Sequence, residues 1–345
     1  DGNYVNQAGI FNKADGWSVT ADWEMSDTLA WKLIYSDRGS KYASGLDDDS
    51  IGSVAGDLNL PFGEDAALRN LWENGVMFQY PETGFADQDS VELQFLGAFD
   101  NWDFVAGLYS FEESGGNNQD VTFFWAFPYG LHINRQDAES NAIYGNVGFQ
   151  ATERLRLSAG ARYTEDEKNA WTTVGVESSA SRKWDETSWE LAASWQMDNG
   201  MNLYGTIQNG YQSGQFPARP YCLFGDPDCF VASDNVTAIN YEVGLKGRLT
   251  PSLSMSAAIF YTDYSDLPYQ VSDNTGAGFN TVNLVVDQTS TGFEWESTWV
   301  PTDQFSLHTA IGYIDVDVSD PNPAVAAPLT PEWTFSISPE SVSYT

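Results

Sequence analysis

The chain has 345 residues, with 49 acidic side chains against 15 Lys and Arg, a formal charge of −34 and a mean hydropathy of −0.35. So acidic a surface repels phosphates and excludes a nucleic-acid partner. No run of about eighteen apolar residues is present to make a transmembrane helix, and no composition shift or Pro/Ser-rich linker divides the chain into domains.

In chain order, segments of alternating apolar and polar residues run into very short turns, reverse, and then give way to long polar stretches. The first pair carries Trp17 and Trp23 and turns at Met25-Ser26-Asp27. Further short turns are predicted at Phe99-Asp100-Asn101, Thr152-Glu153, Asp198-Asn199-Gly200, Thr250-Pro251-Ser252 and Pro301-Thr302-Asp303, all rich in residues that favour tight reversal. Between them lie long connections at about 38–87, 113–137, 167–183, 213–234, 265–286 and 318–331, longer than compact soluble domains tolerate without structure of their own. Alternating short and long connections are the signature of a transmembrane β-barrel. In such barrels the short turns face the periplasm and the long loops face outside.

Consecutive side chains of a strand point to opposite faces, so a membrane crossing keeps one face apolar over nine to eleven residues. From Arg154 onward, Leu155, Leu157, Ala159, Ala161 and Tyr163 oppose Arg154, Arg156, Ser158, Arg162 and Thr164. Trp189, Leu191, Ala193 and Trp195 oppose Glu190, Ser194 and Gln196; Tyr241, Val243, Leu245 and Leu249 oppose Glu242, Lys246 and Arg248. Leu253, Met255, Ala257, Ile259 and Tyr261 oppose Ser254, Ser256 and Thr262, with Phe260 breaking the polar side. Phe293, Trp295 and Trp299 oppose Glu294, Glu296 and Thr298. A soluble β-sandwich also alternates, but it buries the apolar face. Tyr and Trp gather near segment ends, where interfacial girdles belong.

Candidate ligand-binding residues sit in or beside the long connections. Phe123, Phe124, Trp125 and Tyr129 offer stacking surface in one; Tyr211, Phe216, Arg219 and Tyr221 offer it in another, with loop-to-loop packing as the alternative role. Cys222 and Cys229 flank six turn-forming residues, which favours a disulfide closing this short excursion in an oxidising compartment. Two thiols do not make the four ligands of a metal site. Loop carboxylates such as Asp47, Asp48 and Asp49 read as outer-surface solvation. Asp315, Asp317 and Asp320 lack the glycine and terminal glutamate of a calcium loop. No cofactor is expected. Catalysis is not expected either: His132 and His308 are the only imidazoles, placed toward opposite ends, and neither a Gly-x-Ser-x-Gly elbow nor a His-Glu-x-x-His motif occurs.

About thirteen strands can be counted, an odd number where single-chain bacterial barrels use an even one, and the stretch from Trp333 to Thr345 stops within a strand pattern. The expectation is one all-β, antiparallel transmembrane barrel domain over 1–345, an internal piece of a larger barrel whose terminal strands lie elsewhere.

Leu155-Arg156-Leu157-Ser158-Ala159-Gly160-Ala161-Arg162-Tyr163-Thr164 and Asn209-Gly210-Tyr211-Gln212-Ser213-Gly214-Gln215-Phe216 carry a family resemblance. So does Tyr241-Glu242-Val243-Gly244-Leu245-Lys246, followed by Ala258 to Tyr264. Together, and in this order, they resemble the barrel of TonB-dependent outer-membrane receptors. The resemblance implies a 22-stranded barrel with an N-terminal plug, energised by the TonB, ExbB and ExbD complex. It also implies import of a scarce ligand such as a ferric siderophore, haem, cobalamin or a glycan across the outer membrane, whose lipid is the other partner. No plug and no TonB box occur in these residues. A passive porin is the chief rival, since its strands carry the same alternation; a surface adhesin or structural barrel is another.

Overall fold

The structure, a computed structural model, describes residues 9–47, 78–123, 127–173, 177–216, 230–273, 280–319 and 330–341. These form β1 (Gly9–Glu24), β2 (Leu29–Asp47), β3 (Phe78–Ala98), β4 (Trp102–Phe123), β5 (Phe127–Gln150), β6 (Leu155–Thr172) and β7 (Ser178–Gln196). The second half adds β8 (Met201–Gln212), β9 (Val236–Thr250), β10 (Leu253–Asp273), β11 (Asn280–Thr302), β12 (Phe305–Val318) and β13 (Trp333–Ser341). All thirteen belong to one antiparallel sheet in strict chain order. Each strand therefore pairs with its sequence neighbours, as an up-and-down barrel requires.

The short turns fall where the sequence places them, held by local bonds. The Ser26 hydroxyl accepts from the Leu29 amide at 3.1 Å, and the Thr152 hydroxyl accepts from the Leu155 amide at 3.0 Å. The last turn shifts: β11 runs through Pro301 to Thr302 and reverses at Asp303 and Gln304. The larger departure is at the opposite rim. Predicted loops at 38–87, 113–137, 167–183 and 265–286 contain long continuations of the strands, for instance β4 to Phe123 and β5 from Phe127. Backbone pairing outlasts the apolar alternation because beyond the membrane both faces meet water. Polarity then stops alternating while the ladder's hydrogen bonds persist. His132, expected in a loop, accordingly lies on β5.

Exposure decides which face looks inward. Leu191 is 53% exposed, Val243 51% and Ile259 63%, whereas on the opposite face Thr164 is 4% exposed, Thr262 9% and Ser290 5%. A soluble sandwich buries its leucines; this sheet buries its threonines, so the apolar face is the one given to lipid. Aromatic rings form a continuous chain across the short-turn end of that face. Trp31 lies 4.6 Å from Phe95, Phe95 5.4 Å from Phe104, Phe104 5.6 Å from Trp102, and Trp102 stacks on Phe99 at 4.4 Å. A second level holds Trp17 against Tyr35 at 5.2 Å and Tyr241 against Tyr261 at 6.2 Å. On β6 the span from Leu155 to Tyr163 is nine residues, the length of a tilted crossing.

Just beyond this belt the outward face turns acidic. Asp37, Asp89, Glu112, Glu139 and Glu167 stand directly opposite one another on β2 to β6. The row ends at Lys183 on β7, whose ammonium lies 2.8 Å from Glu167. Like charges in direct register oppose pairing. The sheet holds them through its backbone ladder and its apolar belt.

Candidate functional site

The inward face of β4 to β8 carries the chemistry. Along β6 the inward residues are Arg156, Arg162, Thr164, Asp166 and Lys168, reading from the short-turn rim toward the long-connection rim. Arg156 is clamped by Asp103 of β4 at 2.6 Å, and Arg154, in the preceding turn, lies 2.5 Å from Asp198. Both cations thus pair with a carboxylate. Lys246 instead stands over the Tyr204 ring at 5.3 Å, and that tyrosine's hydroxyl donates to Glu242 at 2.7 Å.

Arg162 sits between two tyrosines. Its guanidinium carbon is 5.1 Å from the centroid of Tyr109 on β4 and 5.6 Å from that of Tyr144 on β5. Its Nε donates to the Thr164 hydroxyl at 3.1 Å. The Tyr144 hydroxyl donates to Glu92, and Gly107 leaves the room this ring occupies; a Cβ there would collide with it. Four residues further along β6, the Tyr211 hydroxyl donates to Asp166 at 2.7 Å. Burial first, then the bond to the Asp166 carboxylate, pushes the Tyr211 phenol well above its ordinary range.

At the long-connection rim the β7–β8 seam opens. Their ladder covers only Glu190–Gln196 against Asn202–Gln208, after which β7 continues beside β6 and β8 beside β9. Side chains close the gap: the Asn209 amide accepts from the Trp189 backbone N–H at 2.6 Å and donates to the Thr187 carbonyl at 3.1 Å. Inside the seam, residues 213–216 and 230–235 form a strap over β6 and β7. Trp184 is its anchor, packed with Ala170, Phe216 and Ala232 and donating its indole N–H to the Ser233 carbonyl at 3.2 Å. Phe216 meets Trp184 edge to face at 6.5 Å and Phe230 at 5.2 Å. Lys168 and Arg182, directly opposite in the ladder, both lie over the Trp184 ring, at 5.6 Å and 5.3 Å. Their mutual repulsion is offset by the strap: Lys168 donates to the Gly214 carbonyl at 2.8 Å, and Arg182 to the Ala232 carbonyl at 2.6 Å and to Asp234. Burial lowers the Lys168 pKa, opposed by Asp166 and Glu113. Gly214 is dictated by contact, since a Cβ there would strike the Ser233 carbonyl and the Trp184 indole.

Of the sequence-predicted ligand residues, the structure therefore places two. Tyr211 is tied to Asp166, and Phe216 is buried in the strap, taking the packing role. The backbones of Phe123 and Tyr129 lie at the facing ends of β4 and β5. Phe124, Trp125, Arg219, Tyr221, Cys222 and Cys229 lie outside the described residues. Sequence reasoning missed Trp184, Lys168 and Arg182; a signal existed in the run Arg182-Lys183-Trp184-Asp185, where an aromatic and a cation share the inward parity.

The whole chain, residues 1–345, matches the family model described as TonB dependent receptor-like, beta-barrel. Among curated proteins it resembles the pesticin receptor of Yersinia enterocolitica serotype O:8 / biotype 1B, with 23% identity over 240 residues, 67% of this chain and 34% of that protein. Among solved structures it superposes on the ferric yersiniabactin uptake receptor FyuA from Yersinia pestis with a TM-score of 0.76 at 18% identity, covering 97% of this chain and 48% of that one. Against the ferric citrate transporter FecA the TM-score is 0.71 at 11% identity, with 96% and 47% covered. The chain thus spans about a third of the curated relatives it matches and about half of these solved chains.

Proposed function

The chain belongs to the family of TonB-dependent receptor-like β-barrels of the outer membrane, and from that premise we propose that it forms wall and mouth of an importer for a small anionic chelate of ferric iron. The driving partner is the TonB, ExbB and ExbD complex, acting on a plug carried elsewhere in the full-length protein. The short turns face the periplasm and the strap faces outside. One observation carries the ligand reading: in a protein of charge −34, inward positions hold Arg162, Lys168 and Arg182 among aromatic rings, while the outward face beyond the lipid belt carries the row of acids. Cations held among aromatic rings on the inner face offer an anion both charge and stacking surface, and aromatic surface with a few fixed polar groups is what a small-molecule site needs.

The test is uptake of radiolabelled ferric citrate and of ferric chelates of other charge by cells expressing the full-length protein, with and without TonB. Uptake that requires both the protein and TonB supports the reading. Entry that persists without TonB identifies a passive pore instead.

A further inference from the structure

Half-buried cations need anions or carbonyls. Among the described inward-facing residues, Arg156 has Asp103, Arg182 has Asp234 and the Ala232 carbonyl, and Lys168 has the Gly214 carbonyl. Arg162, also half-buried, has only the Thr164 hydroxyl on Nε; its two terminal amino groups meet no carboxylate within 4.0 Å among the described residues. Several neighbours are engaged elsewhere, and the inward Glu186 and Glu190, which flank the facing Ser188 on β7, form no ion pair with Arg162 among the described residues. Tyr144 is held by Glu92, Asp166 by Tyr211, and Thr164, 4% exposed, by Arg162 itself. The tyrosine rings of Tyr109 and Tyr144 fix the guanidinium, so its fork is immobilised before any ligand arrives and little side-chain entropy remains to be lost on binding.

We infer that the free edge of Arg162 is an oxyanion-binding station on the inner wall, accepting the carboxylate of a small ligand in a two-pronged hydrogen bond with the flanking tyrosine rings as its apolar sides. A guanidinium fork matches two carboxylate oxygens in one plane, which an ammonium cannot do. The station rests on the import reading for what brings the ligand there, but its binding chemistry stands independently of transport.

The experiment uses the purified full-length protein. Sodium benzoate and citrate are titrated calorimetrically into the unsubstituted protein, Arg162→Gln, Arg162→Lys and, as a control for general lumen charge, the exposed inward cation Arg248→Gln. Expected are saturable benzoate binding, at least tenfold weaker in Arg162→Gln, only partly restored in Arg162→Lys, and unchanged in Arg248→Gln. Equal binding by Arg162→Gln, or no binding to the unsubstituted protein, overturns the inference. So does a lowered unfolding temperature of Arg162→Gln with benzoate affinity intact, which would show that Arg162 pairs with an acid of the full-length protein. If no ferric chelate is imported yet benzoate binding follows Arg162, the import reading fails and the station stands.

Discussion

Replacing Trp184 with Ala isolates what holds the strap. The indole is 6% exposed, packs on Phe216, Ala170 and Ala232, and donates one hydrogen bond to Ser233. Truncating a packed Trp to Ala costs about 3–5 kcal/mol, within which one neutral hydrogen bond accounts for about 0.5–1.5. Strands β6 and β7 remain paired over eighteen rungs, from Leu155 opposite Trp195 to Thr172 opposite Ser178, so the loss should fall on local opening of 213–216 and 230–235 rather than on the barrel. At about 1.4 kcal/mol per decade, amide protection there should drop by roughly two to three and a half decades. Hydrogen exchange read by mass spectrometry, peptide by peptide, measures it directly. Trp184→Phe, which keeps an aromatic ring and loses the indole N–H, should show a small fraction of the effect. Unchanged protection in the strap, or an equal loss spread across β6 to β9, refutes the anchoring argument.

Three other outcomes follow from the same geometry. Glu112→Gln removes the central charge of the acidic row, flanked by Asp89 and Glu139, and should stabilise the sheet by about 0.2–1 kcal/mol for each relieved pair, with a smaller gain in concentrated salt; denaturant unfolding at two ionic strengths reads this. Because the Tyr211 phenol is raised above its unfolded value of 10.0, its contribution is fully present below pH 10 and lost as pH climbs through the folded value. Strap protection should fall over that alkaline range, and Tyr211→Phe should flatten the fall. Lys168, lowered from 10.5, acts with the opposite sign just below that pH, and the phenylalanine variant leaves its rise visible. Ile259→Arg, on the lipid face of β10, should cost about 2–4 kcal/mol near the bilayer midplane, seen as poorer folding into vesicles, whereas Ser256→Arg on the inward face should not.

The barrel was legible because its rule is local. Parity alone assigns Leu191, Val243 and Ile259 outward, and their exposure agrees. Strand ends at the long-connection rim were not legible, because pairing there depends on backbone bonds that leave no polarity pattern: β4 carries Glu113, Ser114, Gly115, Gly116, Asn117 and Asn118 in continuous register with β5, although that run reads as loop. The site was half legible. Arg162 was marked as an inward charge by parity, but parity along β6 does not show that Tyr144 of β5 and Tyr109 of β4 close over it. Phe216 was marked as aromatic surface, but only the fold shows Trp184 opposite it.

The distribution of charge explains why the unmatched guanidinium sits where it does. An acidic row on the outward face costs pairing energy, and nothing in the belt below it requires five carboxylates in register. Turned inside out, the same arrangement would place those carboxylates next to Arg162 and Lys168 and extinguish their field. The inner face carries acids of its own, Glu190, Glu242, Glu294 and Glu296 among them, but the five carboxylates of the row are kept off Arg162 and Lys168, as where Glu167 points out between inward-facing Asp166 and Lys168. The strap then sets where a ligand can be held, since Lys168 and Arg182 are spent on its carbonyls and Arg162, six residues further in along β6, is not.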